Sequence, residues 1–369
     1  MSPTFILQNS PIFLGPIAEA FPLWFQAQHY SQVFVLCDEN TRHHCLPDFL
    51  EKTGFTGKNH LFEIPSGESE KNLSTCEKIW QCMLAAKLDR KALVVNLGGG
   101  VIGDMGGFCA ATWKRGVDFI QIPTTLLSMT DAAIGGKTGI DFQGIKNTIG
   151  VFKQPAAVFV DPVFLQTLPE RELRSGYAEV IKHALIGDPE LARQLSEGMT
   201  SSHPLTSVDW LDILQKSIAV KARVVQEDPL EKGLRMLLNF GHSIGHALES
   251  WFLETDEPLT HGEAIYIGMV CEAPTLTKAA AEGSRNLQTA VLTLGNNIFP
   301  HRHLDPTIFP SIWERMQQDK KNSSGTVRMA VPDEAPFSLK IIEPMQADVE
   351  RSLAFYNGRR NEFRFGTIQ

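Results

Sequence analysis

Two histidines, His242 and His246, lie four residues apart in the segment NFGHSIGHALES, which spans residues 239–250. On a helix, side chains four residues apart project from the same face, so both imidazoles can reach one metal ion or one substrate. Imidazole is a common zinc ligand and also the usual acid–base group near neutral pH. The spacing alone leaves three roles open: two ligands of one ion, one ligand beside one acid–base group, or a purely structural helix.

Three further residues extend this pair into candidate sets of metal ligands. Glu179 and His183 lie one helical turn apart in GYAEVIKHAL, and His261 begins the segment HGEA. A catalytic zinc ion takes three protein ligands and keeps one position open, and several such sets can be drawn from these five residues. The glutamate of H-E-x-x-H metalloproteases is absent, because Ser243 follows the first histidine. The sequence therefore favours a metal site of another kind.

A glycine-rich loop predicts a nucleotide site. In LGGGVIGD, Gly98, Gly100 and Gly103 have the G-x-G-x-x-G spacing, which lets backbone N–H groups approach a pyrophosphate at a helix N-terminus. Polar residues also follow other predicted strands and turns, and several such groups at one edge of a parallel sheet are typical of dinucleotide binding. These residues are Asp38, Glu68, Lys71, Thr124 and Thr125.

Basic residues are interleaved with these motifs. Lys182 lies three residues after Glu179, and Arg235 lies seven before His242, so both are predicted to face the ligand side if their helices are continuous. An acidic protein that gathers cations around metal ligands and a nucleotide loop is expected to bind a polyanionic small substrate, such as a phosphorylated sugar acid. The cations are Arg115, Lys137, Lys146, Lys182, Lys221 and Arg235.

The elements that must position these residues fall into two halves. Apolar, β-branched runs closed by Gly, Pro, Asp or Thr alternate with a helical segment at 68–90, which predicts a mostly parallel α/β sheet. After about residue 168 the periodicity becomes helical, with one helix predicted over 239–250. We expect a Rossmann-like α/β domain at 1–168 and a mainly α-helical domain at 169–369. The predicted strands lie within 32–40, 92–100, 117–125 and 155–162.

Composition limits the classes of partner. The chain has 369 residues, with 34 Lys and Arg against 42 Asp and Glu, so its formal charge is −8. That balance argues against a nucleic acid or an anionic membrane as the main partner. None of the six cysteines forms a Cys-x-x-Cys pair, and no signal peptide or membrane-spanning run is evident. We therefore expect free thiols and a cytoplasmic location.

Taken in order, the motifs resemble the 3-dehydroquinate synthase family of the sugar-phosphate cyclase superfamily. The resemblance is collinear from about residue 38 to residue 322, and it implies a dehydroquinate synthase-like fold with NAD, one divalent metal (zinc or cobalt) and a homodimeric assembly. The motifs are GGGVIGD, KRG, PTTLLSMTDAAIGGKTGID, KNTIG, GYAEVIKHALIGD, DPLEKGLRMLLNFGHSIGHALE, HGEA and DKKN.

The resemblance also assigns site residues. It implies that the metal is bound by Glu179, His242 and His261. The implied NAD contacts are Asp38, Glu68, Lys71, Gly99, Gly100, Val101, Asp104, Thr124, Thr125, Lys137, Lys146 and Thr167. The implied substrate contacts are Arg115, Asp131, Lys137, Lys146, Asn147, Lys182, Lys221, Arg235, Asn239 and His246, with either Lys320 or Lys321. Among these, His246, Asn239, Lys182, Lys137 and Arg235 are expected to take part in catalysis.

The implied reaction converts 3-deoxy-arabino-heptulosonate 7-phosphate to 3-dehydroquinate and phosphate, a step of the shikimate pathway to chorismate and the aromatic amino acids. It proceeds by transient oxidation with NAD, β-elimination, reduction and intramolecular aldol closure. The alternatives are another sugar-phosphate cyclase, such as 2-deoxy-scyllo-inosose synthase, and a metal-dependent polyol dehydrogenase. The cations of KRG, GGKTG and KN disfavour the dehydrogenase, because a neutral polyol needs none of them. A non-enzymatic nucleotide-binding module would not need the three metal ligands.

Overall fold

A computed structural model describes residues 2–55, 59–143, 145–198, 205–273, 282–318, 326–333, 335–363 and 367–368. The chain forms two compact units. Residues 1–169 and 210–215 belong to the first unit, and residues 170–209 and 216–369 belong to the second.

The first unit is an α/β structure around a seven-stranded sheet, as the sequence predicts. Its strands are β1 (Phe5–Leu7), β2 (Ser10–Leu14), β3 (Val33–Asp38), β4 (Asn59–Ile64), β5 (Leu93–Gly98), β6 (Asp118–Pro123), β7 (Lys137–Phe142), β8 (Ile145–Phe152) and β9 (Ala157–Val160). Its helices are α1 (Ile17–Gln26), α2 (Glu39–His44), α3 (Leu46–Thr53), α4 (Leu73–Ala85) and α5 (Gly100–Thr112). The sheet order is β1-β2-β9-β6-β5-β3-β4, and only the β1–β2 pair is antiparallel.

The strands of this sheet form because their β-branched and aromatic residues are buried on both faces, as parallel strands require. Phe34 and Leu36 of β3 and Phe119 of β6 are fully buried, and they pack with Ile79 of α4 and Met105 of α5 in one hydrophobic core. The four predicted runs appear as β3, β5, β6 and β9.

The order of the strands identifies the edge where a ligand can bind. β3 pairs with β4 on one side and with β5 on the other, so the chain crosses back over β3 between β4 and β5. At such a switch point the connections leave the sheet in opposite directions, and a crevice opens at the carboxyl ends of the strands. Asp38 ends β3 and Gly98 ends β5, so both lie at this switch point.

Strands β7 and β8 correct one interpretation of the sequence. The glycine content around Lys137 and around Lys146 predicts loops, but these segments form an antiparallel hairpin. The glycines let the two strands approach each other closely. A Cβ on Gly139 would lie 2.5 Å from the Ile149 carbonyl oxygen, and a Cβ on Gly150 would lie 2.3 Å from the Thr138 carbonyl oxygen. Composition alone does not distinguish this use of glycine from a loop.

The second unit is mainly helical, as predicted. Its helices are α6 (Glu170–Gly187), α7 (Pro189–Gly198), α8 (Trp210–Glu227), of which residues 210–215 group with the first unit, α9 (His242–Phe252), α10 (His261–Glu272), α11 (Glu282–Gly295), α12 (Phe309–Gln318) and α13 (Gln346–Gly358). Its short strands are β10 (His301–Arg302), β11 (Met329–Pro332), β12 (Leu339–Ile342) and β13 (Thr367–Ile368). Among the described residues, no helix combines the length and apolar character needed to cross a membrane.

The helix expected over 239–250 begins later than predicted. Residues Leu234–Asn239 form a separate 3-10 segment, and α9 starts only at His242. Gly241 between them has φ +81°, a left-handed conformation that ends one segment before the next begins. Arg235 and Asn239 therefore do not share a continuous helix with His242, and the helical spacing used to place Arg235 was wrong.

Candidate metal centre and nucleotide edge

The start of α10 is held directly against α6 by backbone contact. A Cβ on Gly262 would lie 1.9 Å from the carbonyl oxygen of Ser175, so only glycine fits after His261. The Gly262 N–H donates to Ser175 Oγ at 3.0 Å. Because Glu179 lies one turn after Ser175 on α6, this contact brings His261 beside Glu179.

Glu179, His242 and His261 converge into one cluster. Glu179 Oε1 lies 3.5 Å from His242 Nε2 and 3.5 Å from His261 Nε2. Glu179 is fully buried, and His242 is 7% exposed. The candidate ligand atoms of the three residues all lie within 4.8 Å of one another.

This cluster fits a tetrahedral zinc ion. Donor atoms about 2.1 Å from zinc at tetrahedral angles lie roughly 3.4 Å from one another. The two Glu179–histidine distances of 3.5 Å match that spacing. Two imidazoles and one carboxylate are also a donor set that catalytic zinc uses, with a fourth position left for water or substrate. The residues present therefore fit the metal that the sequence predicts.

His246 lies beside this cluster. Its ring centroid is 5.0 Å from that of His242 and 5.9 Å from that of His261. His246, Glu249 and His261 form a second possible ligand set that shares His261 with the first. Glu249 Oε2 lies 3.3 Å from Nδ1 of His261, the nitrogen on the other side of the ring from Glu179. One ion at Glu179 leaves Glu249 to hold that second nitrogen, so the geometry favours the first set.

The charge of Glu249 changes the titration of His261. Burial lowers the pKa of this imidazole, but the nearby carboxylates of Glu249 and Glu179 together outweigh burial and raise the pKa to about 9. The raised pKa reflects the negative potential that Glu249 and Glu179 create at this ring, and the same potential favours a divalent cation. His183, the fifth candidate ligand, instead places Nδ1 2.8 Å from Ser217 Oγ in the core.

Lys182 joins the metal cluster to the segment that precedes α9. It is fully buried, its ammonium contacts the Glu179 carboxylate, and Nζ donates to the Leu238 carbonyl oxygen at 2.8 Å. Lys221 of α8 is only 4% exposed, although the sequence would equally allow a solvated position. Two lysines buried in this unit are costly to desolvate and indicate an anionic ligand or partner.

A loop shaped by Asp228 positions Arg235. The Asp228 carboxylate accepts three backbone N–H groups, from Lys232 at 3.0 Å, Gly233 at 2.7 Å and Arg235 at 3.1 Å. Burial raises the pKa of Asp228, but the three N–H groups together lower it by more. The pKa of this carboxyl is therefore below its usual value. Arg235 is 2% exposed and donates from Nη1 to the Pro229 carbonyl oxygen.

Asn239 has a carboxylate partner that the sequence did not reveal. Its Nδ2 donates to Glu231 Oε1 at 2.7 Å, eight residues away. Glu231 itself has φ +59°, so the loop that carries it is locally left-handed. This contact fixes the orientation of the Asn239 amide.

In the first unit, the glycine loop leads directly into a helix N-terminus. Gly99 caps α5, and Gly100 is its first residue, so the first N–H groups of the helix point outward from the end of β5. A Cβ on Gly99 would lie 3.1 Å from Thr125 Cγ2, and one on Gly103 would lie 3.1 Å from Gln121 Oε1. The loop therefore combines an anion-binding helix start with close helix–strand packing, as the G-x-G-x-x-G spacing predicts.

The first unit also brings five predicted residues from separate motifs into one polar cluster. Lys71 Nζ lies 2.7 Å from Asp104 Oδ2, 2.6 Å from Asn147 Oδ1 and 3.9 Å from Glu68 Oε1. Lys146 Nζ lies 3.6 Å from Glu68 Oε1. Burial lowers the pKa of Lys71, but the carboxylates of Asp104, Glu68 and Asp141 together raise it by more, so Lys71 stays charged.

Other predicted residues of this unit have structural contacts as well. Asp38 caps α2, accepting from the Thr41 N–H at 2.8 Å, and the Thr124 N–H donates to the Gly98 carbonyl oxygen at 3.0 Å. The Thr125 hydroxyl lies 2.9 Å from Ser128 Oγ.

Val101 is half-buried in the first turn of α5, Asp131 lies in a short π-helical turn, and Thr167 ends a 3-10 turn. Lys137 is exposed at the start of β7.

The KRG motif forms a left-handed turn. Lys114, Arg115 and Gly116 have φ of +48°, +69° and +115°, and Arg115 is exposed. Lys320 and Lys321, the two candidates of the DKKN segment, lie outside the described residues.

Sequence reasoning missed the carboxylates that hold these groups in place. Asp141 accepts the Asn147 N–H at 2.7 Å, and its own N–H donates to the Lys71 carbonyl oxygen at 2.9 Å. Glu249 follows His242 by seven residues, which is two helical turns, so helical spacing could have flagged it. Asp228 and Glu231 act through loop contacts that helical or strand periodicity does not reveal.

Comparison with known proteins agrees with this architecture. The model of the 3-dehydroquinate synthase N-terminal domain matches residues 61–175, and that of the C-terminal domain matches residues 176–322. A 3-dehydroquinate synthase of Picosynechococcus sp. is 44% identical over 291 residues, which cover 77% of this chain and 77% of that protein.

Two solved structures are also similar. A 2-epi-5-epi-valiolone synthase from Streptomyces hygroscopicus with NAD+ and Zn2+ bound has a TM-score of 0.80 and 27% identity, covering 95% of this chain and 97% of that one. A 2-deoxy-scyllo-inosose synthase complexed with carbaglucose-6-phosphate, NAD+ and Co2+ has a TM-score of 0.78 and 22% identity, covering 93% and 96%. The second shares the fold. On the two domain matches and the identity to its relatives, the chain belongs to the 3-dehydroquinate synthase family.

Proposed function

We propose that this chain converts 3-deoxy-arabino-heptulosonate 7-phosphate to 3-dehydroquinate and inorganic phosphate, with NAD and one divalent metal as cofactors. Family membership supports the reaction, and the NAD+ and Zn2+ of the valiolone synthase support the cofactors. Because a carbon–oxygen bond breaks when phosphate leaves, the enzyme is a carbon–oxygen lyase.

One observation carries the proposal. The three-ligand cluster of Glu179, His242 and His261 contacts a fully buried cation, Lys182, which also binds the segment that carries Arg235 and Asn239. A metal cluster coupled to buried positive charge suits a substrate that is both a polyol and an anion. A neutral polyol needs the metal ligands but not the lysine and arginine.

Glu179, His242 and His261 are proposed to hold zinc. Bound there, zinc supplies Lewis-acid chemistry, lowering the pKa of a ligated hydroxyl and polarising a ketone. Lys182, Lys221 and Arg235 are proposed to bind the anionic groups of the substrate, which fixes its orientation through successive steps.

His246 is proposed to accept and return the proton of the hydroxyl that is oxidised. Its imidazole is half-buried beside the two ligand histidines and outside the favoured ligand set, so it is available for proton transfer. Asn239, whose amide Glu231 orients, is proposed to hydrogen-bond the substrate at the same position.

The residues of the first unit are proposed to bind NAD, which supplies transient hydride acceptance and is regenerated in each turnover. The N-terminus of α5 suits the pyrophosphate, and the carboxyl ends of β3 and β6 suit the nucleoside. The polar cluster around Lys71 presents Lys146 and Asn147, which are proposed, with Arg115, Asp131 and Lys137, to bind the substrate.

We also propose a domain division, an oligomeric state and a cellular location. Residues 1–168 form the NAD-binding domain, and residues 169–369 form the metal- and substrate-binding domain. The enzyme is a homodimer in the cytoplasm, where the six cysteines, all free in the structure, remain reduced.

Substrate choice tests the proposal against its nearest alternative, a 2-deoxy-scyllo-inosose synthase activity. The purified chain with NAD and zinc is offered 3-deoxy-arabino-heptulosonate 7-phosphate or glucose 6-phosphate, and released phosphate is measured. We expect phosphate from the heptulosonate and only background release from glucose 6-phosphate. Faster release from glucose 6-phosphate would replace the proposal with the alternative.

A further inference from the structure

Each of the two helices that carry a histidine ligand also carries a buried carboxylate directed at the other helix. Helix α9 carries His242 and Glu249, seven residues or about two turns apart, and α10 carries His261 and Glu272, eleven residues or about three turns apart. Ligand and carboxylate therefore share one face of each helix. Glu249 is 6% exposed, and Glu272 is fully buried.

Glu249 of α9 holds the imidazole ring of His261 on α10. Its Oε2 lies 3.3 Å from His261 Nδ1, while Nε2 of the same ring lies 3.5 Å from Glu179 Oε1. A carboxylate that accepts the Nδ1–H of a histidine selects the tautomer whose Nε2 lone pair faces the metal, and it also fixes the plane of the ring.

Glu272 of α10 holds the backbone around His242 on α9. Its two carboxylate oxygens accept the Gly241 N–H at 2.8 Å and the Ile244 N–H at 2.7 Å, on either side of His242. The N-cap of α9 is Gly241, which offers no side-chain oxygen, and the first turn of the helix contains no acidic residue. Glu272 therefore supplies from another helix both the cap and the negative charge that a helix N-terminus favours.

The ring of His242 depends on the same backbone. His242 Nδ1 lies 3.1 Å from the Phe240 carbonyl oxygen, the residue just before Gly241. By fixing Gly241 and Ile244, Glu272 fixes the acceptor that orients this ring and presents Nε2 to Glu179. The helices touch closely enough for this reach, since a Cβ on Gly268 would lie 1.9 Å from the Gly241 carbonyl oxygen.

We propose that Glu249 and Glu272 are reciprocal positioning residues of the metal centre, each holding the histidine ligand of the other's helix. The inference rests on the metal assignment of the proposed function. It predicts that either carboxylate can be lost without removing a ligand, yet the ion will be bound more weakly and in an altered geometry.

The variants are Glu249→Gln and Glu272→Gln, with Cys271→Ala as the matched control. Cys271 is a buried neighbour of Glu272 on α10, but its thiol donates to the Ser352 carbonyl oxygen, at 3.6 Å. Zinc affinity is measured by competition with a chromophoric chelator, and the coordination geometry by the visible absorption of the Co2+-loaded protein.

We expect each glutamate variant to bind zinc about 10- to 100-fold more weakly than the wild type, with a changed Co2+ spectrum. The control should keep wild-type affinity and spectrum even where its melting temperature falls. If Glu272→Gln does not fold, Glu272→Asp serves, because its shorter side chain cannot reach both N–H groups.

Wild-type zinc affinity and an unchanged Co2+ spectrum in a glutamate variant would overturn the positioning role of that residue. This failure is distinct from failure of the proposed function. A wild-type chain that binds zinc tightly but releases no phosphate from the heptulosonate would refute the reaction and leave the positioning role intact.

Discussion

The proposed nucleotide edge of the first unit and the proposed metal centre of the second are built in different ways. At the nucleotide edge, the proposed pyrophosphate site consists largely of backbone: a glycine loop after a parallel strand and the first N–H groups of α5. The metal centre consists of side chains from α6, α9 and α10. Buried carboxylates position two of these side chains: Glu249 contacts the His261 ring, and Glu272 accepts a backbone N–H next to His242. A backbone site tolerates change in most side chains, whereas a side-chain site fails when one ligand or one helix contact is lost.

The largest expected effect is a difference in zinc binding between variants of His242 and of His246. We predict that His242→Ala loses stoichiometric zinc, because the ligand set falls to Glu179 and His261. The affinity loss should exceed the roughly 10- to 100-fold that removal of an outer-shell partner costs. His246→Ala should keep one zinc per chain, measured by metal analysis after dialysis, and lose activity. Equal loss of zinc from both variants would contradict the division of roles.

The contact between α6 and α10 is the next test of the side-chain site. Gly262→Ala places a Cβ 1.9 Å from the Ser175 carbonyl oxygen, so backbone must move. We expect the free energy of unfolding to fall by about 3 kcal/mol, with weaker zinc binding, because His261 shifts relative to Glu179. Gly198→Ala is the control, since its Cβ would meet nothing within 4 Å. Chemical denaturation measures both, and equal stability of the two variants would refute the contact.

The matching substitution in the backbone site should have a different signature. Gly99→Ala adds a Cβ 3.1 Å from Thr125 Cγ2 at an ordinary φ of −74°, so stability should change by less than about 1 kcal/mol. The added methyl stands at the helix start where a pyrophosphate would approach, so NAD affinity should fall about tenfold, or about 1.4 kcal/mol. Isothermal titration calorimetry with NAD measures this affinity in the variant and the wild type. Unchanged NAD affinity would place the nucleotide elsewhere.

The smallest effect concerns the cap of α10. Glu263 accepts the Thr260 N–H at 2.8 Å and pairs with Arg171, whose Nη2 lies 2.7 Å from Oε2. Burial raises the pKa of Glu263, but the Arg171 hydrogen bond and the Thr260 N–H outweigh it and leave the pKa below 4.5. A lowered pKa stabilises the fold at higher pH, and this contribution disappears as pH falls through the folded pKa.

Glu263→Gln tests that sign. At pH 7 the variant should be less stable than the wild type by about 1 kcal/mol, because the capping oxygen can remain, but the charge and the oxygen that accepts from Arg171 Nε are lost. The difference should shrink as pH falls below 4.5. Denaturation curves at several pH values measure it, and a difference that grows on acidification would reverse the assignment.

Much of this structure could be predicted because its signals are local. The runs that became β3, β5, β6 and β9 are β-branched and buried on both faces, and the loop after β5 has the glycine spacing of a phosphate-binding turn. The proposed ligands Glu179, His242 and His261 come from the family resemblance, since spacing permits several sets. The convergence of these three residues could not be derived from any one helix.

The rest depended on tertiary contacts. Gly139 and Gly150 face each other across a hairpin, so glycine content alone suggested loops. The start of α9 is set by Gly241 and by Glu272, which is 28 residues from Ile244 in sequence. Periodicity predicts a helix but does not show which distant carboxylate caps it.

A single coupled assay tests the central claim most directly. The chain is mixed with zinc, NAD and 3-deoxy-arabino-heptulosonate 7-phosphate, and released phosphate is followed together with NADH absorbance. The account predicts many equivalents of phosphate per enzyme with no net accumulation of NADH, because each hydride returns to the substrate. Steady NADH accumulation without phosphate release would contradict it and identify a dehydrogenase.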